Sequence, residues 1–406
     1  MRFRIALALL LLTAPPARGD EYTVAPAAGV WVRALLDLRV VVPGAAPSWM
    51  DRGPGLTRYG GVNENGRNRR VTRFAISQLA LESGGRLPGE IELHAQVNWE
   101  GNVDSDGGVD PDYDAPRLVE AWARRGFGDA ADGWALMVGV TNPTNSLEHI
   151  GPAWTPRYTL TPSALDTWLW EEGRVLGLQA EWWADTAGDT ELSAFAGAGW
   201  GPDQQGTLLS RRGWVLSDWL AGINSTLPLP GSGTAREFDE RDGRPAVYVG
   251  GSVRDPWKLG ALRAGYYDNL GDLSVAGVWE TRYATIGLAV APVAGLDVLF
   301  QYMIGKTNNR AGGFDDTFQA FYPLVSYRWR AHRVSVRYDN FRVQDDAGAA
   351  PVDRQRGWAV TAAYLYEFWL RHRIAVEYVA LDSYRPDRAV PDPSDDQWQI
   401  SYRFRY

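Results

Sequence analysis

The sequence predicts an all-β fold, a transmembrane antiparallel up-and-down β-barrel of about 16 strands and at most 18. Apolar and polar residues alternate along seven long segments. In residues 90–100 one face is wholly polar and the other wholly apolar: Ile91, Leu93, Ala95, Val97 and Trp99. Segments of about 10 residues suit a tilted membrane strand, whereas the strands of soluble proteins centre on about five or six residues.

The connections support the same fold because short and long ones alternate. The long polar stretches are 43–70, 101–116, 143–173, 201–213, 306–320, 344–355 and 382–395. Outer-membrane barrels have short turns on the periplasmic side and long loops on the outer side. Residues 214–227 and 272–280 are either two more strands or parts of loops, which leaves the count at 16 or 18.

The N-terminus predicts export by a Sec-type signal peptide, residues 1–19. Arg2 and Arg4 precede the apolar run Ile5–Ala14, and Ala17 and Gly19 supply the small residues of a cleavage site before Asp20. The run is shorter than the roughly 20 residues that a membrane-spanning helix needs. We therefore expect one domain, a mature barrel of residues 20–406. The absence of Cys excludes disulfides and a lipid anchor on cysteine.

The composition favours the outer membrane as the location. The chain has 19 Trp and 18 Tyr, and such residues collect at the two membrane interfaces of a barrel. Lipid and lipopolysaccharide are then its surroundings. The net charge of -8 argues against nucleic acid as a partner. Neither a phosphate-binding loop nor a dinucleotide fingerprint occurs, so we expect no cofactor.

Several segments resemble known outer-membrane proteins. The C-terminal WQISYRFRY, which ends at Tyr406, resembles the closing strand that the barrel-assembly machinery recognises. The segments GVTNPTNSLEHIGPAWTPRYTLTPSALDTWLWEEGR, RRGWVLSDWLAG, HRVSVRYDNFRVQD and EYVALDSYRP resemble uncharacterised porin-like proteins of proteobacteria. The layout is similar to that of the phosphate-selective porins, which are 16-stranded trimers, although their phosphate-binding residues cannot be matched here.

This resemblance implies a porin-like channel for passive diffusion of small hydrophilic solutes across the outer membrane of a Gram-negative bacterium, and a homotrimer. Two alternatives remain open within the membrane class. One is a substrate-specific channel, for example for an anion or a carboxylate. The other is a non-conducting structural or receptor barrel whose loops block the lumen. A soluble periplasmic β-protein is a further alternative outside the membrane class.

The inward phase of the alternation predicts the pore-lining residues. They are Arg33, Asp37, Arg39, Glu90, Glu92, His94, Gln96, Glu100, Arg328, Arg333, Arg337, Arg373, Glu377, Arg403 and Arg405. Basic residues crowd the last strands and the first, while acidic residues lie further around the wall. Such sectors could set a transverse field that selects ions. Alternatively, neighbouring charges could pair as a structural network.

The long loop 143–173 is the candidate constriction, by analogy with the third loop of general porins. It offers charged and polar groups, with one more just beyond it: Glu148, His149, Arg157, Tyr158, Glu171, Glu172 and Arg174. The alternative is an ordinary surface lid that packs through Trp154, Trp168 and Trp170.

The sequence offers two further candidate sites, neither of which we favour. Five carboxylates with calcium-like spacing, at Asp104, Asp106, Asp110, Asp112 and Asp114, lack a Glu at the twelfth position, and a solvated acidic outer loop is the preferred interpretation. We therefore expect no metal site. An outer-membrane hydrolase would need one of the four histidines, of which only His94 has an inward phase near polar neighbours. No Ser is placed beside it, so we expect no enzyme.

Overall fold

The computed structural model describes residues 29–101, 115–143, 146–255, 257, 259–347, 354–369, 371–386 and 394–406. The predicted signal peptide and the five-Asp segment lie outside these ranges and stay predictions. The strands in chain order are β1 (Val30–Val42), β2 (Val62–Glu64), β3 (Arg67–Arg69), β4 (Arg73–Leu87), β5 (Ile91–Trp99), β6 (Arg117–Gly128), β7 (Asp132–Thr141), β8 (Val175–Asp185), β9 (Glu191–Trp200), β10 (Thr226–Pro228), β11 (Thr234–Arg236), β12 (Ala246–Arg254), β13 (Gly260–Asp268), β14 (Glu280–Val293), β15 (Leu296–Asn309), β16 (Phe314–Trp329), β17 (His332–Asp345), β18 (Gln355–Phe368), β19 (His372–Tyr384) and β20 (Ser394–Arg405).

Sixteen of these strands form one closed antiparallel barrel. Only the small hairpins β2–β3 and β10–β11 lie outside it among the described residues. Strand β1 pairs with β4 on one side and with β20 on the other, where Leu36 lies opposite Phe404 and Val42 opposite Trp398. Closure satisfies the backbone groups that a free sheet edge would expose to lipid. The all-β barrel prediction is confirmed with 16 strands, and both ambiguous segments, 214–227 and 272–280, lie in loops.

The outer surface of the barrel is apolar and carries a belt of aromatic rings at the end with the short turns. Neighbouring rings of this belt lie 4.8–6.0 Å apart: Tyr327, Trp329, His332, Tyr366, Phe368, His372 and Phe404. The short turns mark this end as periplasmic. An apolar band edged by aromatic rings is the exterior that a lipid bilayer requires, and it places the protein in the outer membrane.

Two details of the sequence-based layout were wrong. Glu90 does not line the pore: it lies in the turn before β5, has a φ of 61° and a 73% exposed side chain, and its nearest ion-pair partner is Arg86 at 3.5 Å. The alternation in the sequence includes Glu90, which lies one residue before the strand begins at Ile91. Residues 306–320 are not a long loop, since β15 continues to Asn309 and β16 begins at Phe314. Strand segments that project beyond the membrane carry polar residues on both faces, so their hydropathy does not alternate and the sequence does not reveal them as strands.

Three long connections lie partly inside the barrel. They are residues 43–72, residues 142–174 with helix α1 (Ala164–Glu171), and residues 201–245 with helix α2 (Thr207–Arg211). Short 3₁₀ turns occur at Pro152–Trp154 and Arg310–Gly312. No helix among the described residues is long and apolar enough to cross a membrane.

Candidate functional site in the barrel lumen

The outer half of the lumen holds a hydrophobic core made by loops and wall together. Buried side chains of the three long connections pack there against inward-facing wall residues, among them Tyr248, Tyr283, Met303, Phe318 and Phe341. A barrel of 16 strands is wide enough to leave an aqueous channel. The loops, and not the diameter of the wall, therefore determine how much of this interior is open.

Trp168 of α1 lies at the centre of that core. Its ring meets those of Trp214, Tyr283 and Phe318 edge-on at centroid distances of 6.1, 5.3 and 5.1 Å. Edge-to-face pairs at such distances add to the stabilisation from buried area. Helix α1 begins after Ser163, whose side chain accepts a hydrogen bond from the backbone N–H of Asp166 and caps the helix.

The loop 142–174 is anchored to the barrel wall by fully buried polar contacts at mid-height. Arg337 of β17 donates to Glu148 at 2.7 Å, to Asp339 at 2.8 Å and to the carbonyl oxygen of Thr161 at 2.8 Å. Glu377 of β19 accepts hydrogen bonds from the backbone N–H groups of Leu160 and Thr161 at 2.6 and 3.0 Å. Charge-assisted bonds of this length are among the strongest that proteins form.

A small residue in the wall makes room for Leu147, near the start of the same loop. A Cβ atom at Gly287 would lie 3.0 Å from Cδ1 and 3.3 Å from Cγ of Leu147. The absence of a side chain in β14 therefore lets Leu147 approach the backbone of the wall. The loop is seated in the barrel by shape as well as by charge.

A chain of alternating charges joins the first strands to the loops. Arg403 and Arg39 both contact Asp37, at 2.6 and 3.2 Å. Arg39 also contacts Asp218 of the loop 201–245 at 2.8 Å, and Asp218 contacts Arg58 of the loop 43–72 at 3.2 Å. The chain continues outward through two contacts of Glu100, with Arg58 at 2.5 Å and with Arg117 at 2.8 Å. Burial alone would raise the pKa of Asp218, but Arg39 and Arg58 hold it below its ordinary value, so this carboxylate stays ionised.

The predicted pore-lining residues other than Glu90 divide into two groups by their surroundings. Those paired or buried under the loops are Asp37, Arg39, Gln96, Glu100, Arg333, Arg337, Arg373, Glu377 and Arg403. Those nearer the periplasmic end keep contact with water: Arg33, Glu92, His94, Arg328 and Arg405. We call the water-exposed periplasmic part of the lumen the vestibule. Its wall includes Arg124, which contacts Glu181 at 3.0 Å and Glu92 at 3.4 Å.

The predicted loop residues also lie inside the barrel. Glu148, His149, Tyr158, Glu171, Glu172 and Arg174 are buried there, and Arg157 is half-buried. Glu171 contacts Arg212 at 2.6 Å, and the ring of Tyr158 lies 5.0 Å from the guanidinium of Arg333. The loop 142–174 is thus a lumen segment, not an outer lid, although Trp154 and Trp170 do pack on each other as the alternative supposed.

The four histidines lie in three different surroundings. His332 and His372 belong to the outer aromatic belt, where their Nδ1 atoms contact the hydroxyls of Tyr364 and Tyr402 at 2.8 Å. His94 stacks on Trp122 at 5.0 Å in the vestibule. His149 is 1% exposed, and burial, followed by the nearby arginines, lowers its pKa to about 3, so it is neutral.

The inward loop 201–245 was not predicted from the sequence. The sequence leaves residues 214–227 open as a strand or part of a loop, and in the structure Trp214, Leu216 and Leu220 pack into the lumen core. The segment Trp214-Val-Leu-Ser-Asp-Trp-Leu220 lacks strict period-two alternation and carries an acid, Asp218, among apolar residues. In the sequence, this combination was the available signal that the segment is not a barrel strand.

Glu172 connects the loop 142–174 to the loop 201–245. It accepts hydrogen bonds from the backbone N–H groups of Gly206 and Leu208, both at 3.0 Å, and from the indole of Trp168 at 2.6 Å. Burial is the largest influence on this carboxyl and raises its pKa to about 7, although these hydrogen bonds act in the opposite direction. In the folded protein Glu172 therefore keeps its proton up to a higher pH than in an unfolded chain.

We expect the contact between the two loops to weaken as the pH rises. The stabilisation by protonated Glu172 is complete below its unfolded pKa near 4.5 and is lost as the pH passes about 7. Limited proteolysis of residues 201–245 in the detergent-solubilised protein should therefore be faster at pH 8 than at pH 5. Glu172→Gln should reduce this difference, since its amide does not titrate.

The control for this prediction is Glu64→Gln, which changes an exposed carboxylate of the outer hairpin. It should leave the pH dependence as in the wild type. An unaltered pH profile in Glu172→Gln would mean that another group carries the effect.

Comparisons with known proteins locate the fold but not a family. No family model matches the sequence, and no curated protein matches it. Among solved structures, the outer membrane channel DcaP of Acinetobacter baumannii is similar with a TM-score of 0.58 at 12% identity, over 95% of this chain and 99% of that one. OprB of Pseudomonas putida is similar with a TM-score of 0.55 at 12% identity, over 93% of this chain and 94% of that one. The anion-selective porin of Comamonas acidovorans is similar with a TM-score of 0.53 at 12% identity, over 94% of this chain and 100% of that one. At these identities the likeness is one of fold, and it confirms the predicted porin-type barrel at that level.

Proposed function

We propose that this protein is a porin-type channel of the outer membrane, through which small hydrophilic solutes diffuse along a route narrowed by the inward loops. The observation that carries the proposal is a closed 16-strand barrel with a charged inner wall and loops folded to mid-height. A water-exposed vestibule occupies the periplasmic half. The titles of the similar structures, an outer membrane channel and an anion-selective porin, support the same class.

The filled outer half favours a restricted channel over an open diffusion pore. Wall and loops form one buried core there, so a solute passes only through gaps that the loops leave or open. Such a route selects solutes by size and by the charges along it. We infer that the protein belongs with substrate-restricted channels, the first alternative that the sequence left open.

Reconstitution of purified protein in a planar bilayer tests the proposal. We expect discrete conductance steps from the wild type, because the vestibule is exposed to water and the inner wall is charged. Heat-dependent gel migration confirms that the inserted protein is folded. Silence from folded wild type, and equally from a variant with the loop anchor removed, would contradict a channel.

The buried lumen core also favours a second candidate, a structural or receptor barrel that does not conduct. The same recording separates the two: a receptor barrel is silent whether or not the anchor is intact. We expect no hydrolase activity, because His149 is buried and His94 is packed between aromatic rings. Release of fatty acid or peptide by the wild type, lost in His94→Ala, would overturn that expectation.

The expected partners rest on the resemblance and on the surface of the barrel. They are lipid, lipopolysaccharide, the assembly machinery acting on the Tyr406 strand, and two further copies of the chain in a homotrimer. Native mass spectrometry in detergent gives the oligomeric state directly. A monomer under conditions that preserve known porin trimers would remove the trimer from this proposal.

A further inference from the structure

A basic recess opens at the periplasmic side of the loop 142–174. Its free space, counted together with the open solvent at its mouth, is about 340 Å³, and it is bounded by the loop and by β18, β19 and β20. Its charged lining residues are Arg157, Glu367, Arg373, Arg403 and Arg405. Four guanidinium groups therefore face one carboxylate around this space. We call it the Arg373 recess.

Arg373 is the lining residue whose bonding is incomplete. It is 6% exposed, and neither Nε nor Nη2 has a hydrogen-bond partner among the described residues. A buried guanidinium whose N–H groups lack partners is costly because those groups have lost water and gained no hydrogen bond. Natural proteins rarely leave two such donors on one side chain unmet.

The two unmet donors lie on one edge of the guanidinium, the edge that takes a carboxylate. Arg403, directly opposite Arg373 in the β19–β20 register, uses the same two atoms: its Nε and Nη2 donate to Asp37 at 3.1 and 2.6 Å. Arg39 also presents Nε and Nη2 to Asp37. Nε and Nη2 of one guanidinium form a fork that fits two oxygens of a carboxylate or a phosphate.

The protein's own carboxylates do not fill this edge. Asp37 already accepts from Arg39, Arg403 and Ser401. Glu367 lies opposite Arg373 in the β18–β19 register but forms no hydrogen bond with its Nε or Nη2. The recess therefore has a net positive lining, and one of its arginines carries a buried bidentate edge without a partner among the described residues.

We propose that the Arg373 recess binds a small anion that presents two oxygens on one centre, a carboxylate or a phosphate. Arg373 supplies the bidentate contact, and Arg157 and Arg405 supply further positive charge around it. As a step on the route of a permeating anion this site rests on the proposed channel function. As a binding site it stands independently of conduction.

Equilibrium binding to the purified full-length protein in detergent tests the site, with succinate in one arm and inorganic phosphate in the other. We expect wild type to bind at least one of them and Arg373→Gln to lose at least about tenfold in affinity, since the loss of a charge-assisted pair exceeds about 1.4 kcal/mol. Binding of succinate but not phosphate would identify a carboxylate ligand. Binding of phosphate but not succinate would identify a phosphoryl ligand. The matched control is Arg328→Gln, which removes an inward-facing arginine outside the recess.

A second measurement guards against misfolding. Because Arg373 has unmet donors in the free protein, Arg373→Gln should leave the thermal unfolding midpoint unchanged or raise it. Equal binding in wild type and Arg373→Gln, no binding of either anion, or an equal loss in Arg328→Gln would overturn the proposal. Binding that depends on Arg373 in a protein that never conducts would reject the channel and keep the anion site.

Discussion

Arg337→Leu is expected to release the loop 142–174 from the wall and to lower the free energy of unfolding by about 3–5 kcal/mol, the usual loss when one partner of a buried ion pair is removed. The substitution leaves Glu148 and Asp339 buried without their shared cation. It also removes donors from the carbonyl oxygens of Thr161 and Pro162. Urea unfolding in detergent micelles, followed by tryptophan fluorescence, measures the loss.

Conductance gives an independent test of the same substitution. If the loop narrows the route, its release should enlarge the unitary steps in a planar bilayer. Arg342→Gln is the matched control, because it changes an exposed outward arginine of the same strand. Stability and step size both equal to those of Arg342→Gln would show that Arg337 does not hold the loop.

Trp168→Ala should produce the second large effect, a loss of about 3–5 kcal/mol in the free energy of unfolding, because it opens a cavity in a packed core. The indole is 1% exposed, lies between three aromatic rings and donates to Glu172. The same unfolding experiment measures the loss. Trp369→Ala removes a side chain that is 81% exposed in a periplasmic turn and should cost far less. Equal losses in the two variants would contradict a packed core inside the lumen.

The sequence predicted the barrel wall well because the alternation of side chains is a local property. The inward phases assigned to Arg333, Arg337, Arg373 and Arg403 agree with the burial of these residues in the structure. The prediction failed at Glu90 and at residues 306–320, where a strand ends in a turn or rises above the membrane. Glu90 lies in an exposed turn, and in residues 306–320 polar side chains occur on both faces, such as Asp315 and Asp316, so the alternation no longer reports the strand.

The filling of the lumen could not be predicted in the same way. Asp218 meets Arg39, and Glu148 meets Arg337 across 189 positions of sequence. Such pairs depend on how a loop folds back into the barrel, and no periodic pattern encodes them. The analogy with a third porin loop pointed to residues 143–173, but nothing comparable indicated the loop 201–245. The sequence also left open whether the arginines pair with carboxylates or set a transverse field. Tertiary contacts decide this, and most of the arginines at mid-height have carboxylate partners.

These contacts also change which substitutions probe selectivity. An Arg333→Glu, Arg337→Glu double variant would place new negative charge beside Glu148 and Asp339, in the buried anchor of the loop. Its reversal potential would then reflect a displaced loop as well as altered charge. Arg373 and Arg405, which line the recess, are better positions for such a measurement.

The loop 142–174 lies inside the barrel of the native protein, and a designed disulfide tests this placement most directly. The chain has no cysteine, so Leu147→Cys with Gly287→Cys gives a single pair. A Cβ atom at Gly287 would lie 3.3 Å from the position of Leu147 Cγ, close to where the sulfur of the first cysteine would be. We predict that the two cysteines crosslink in folded protein in the outer membrane, and that the crosslink suppresses the enlarged conductance of Arg337→Leu. Free thiols in folded, oxidised protein would contradict the account.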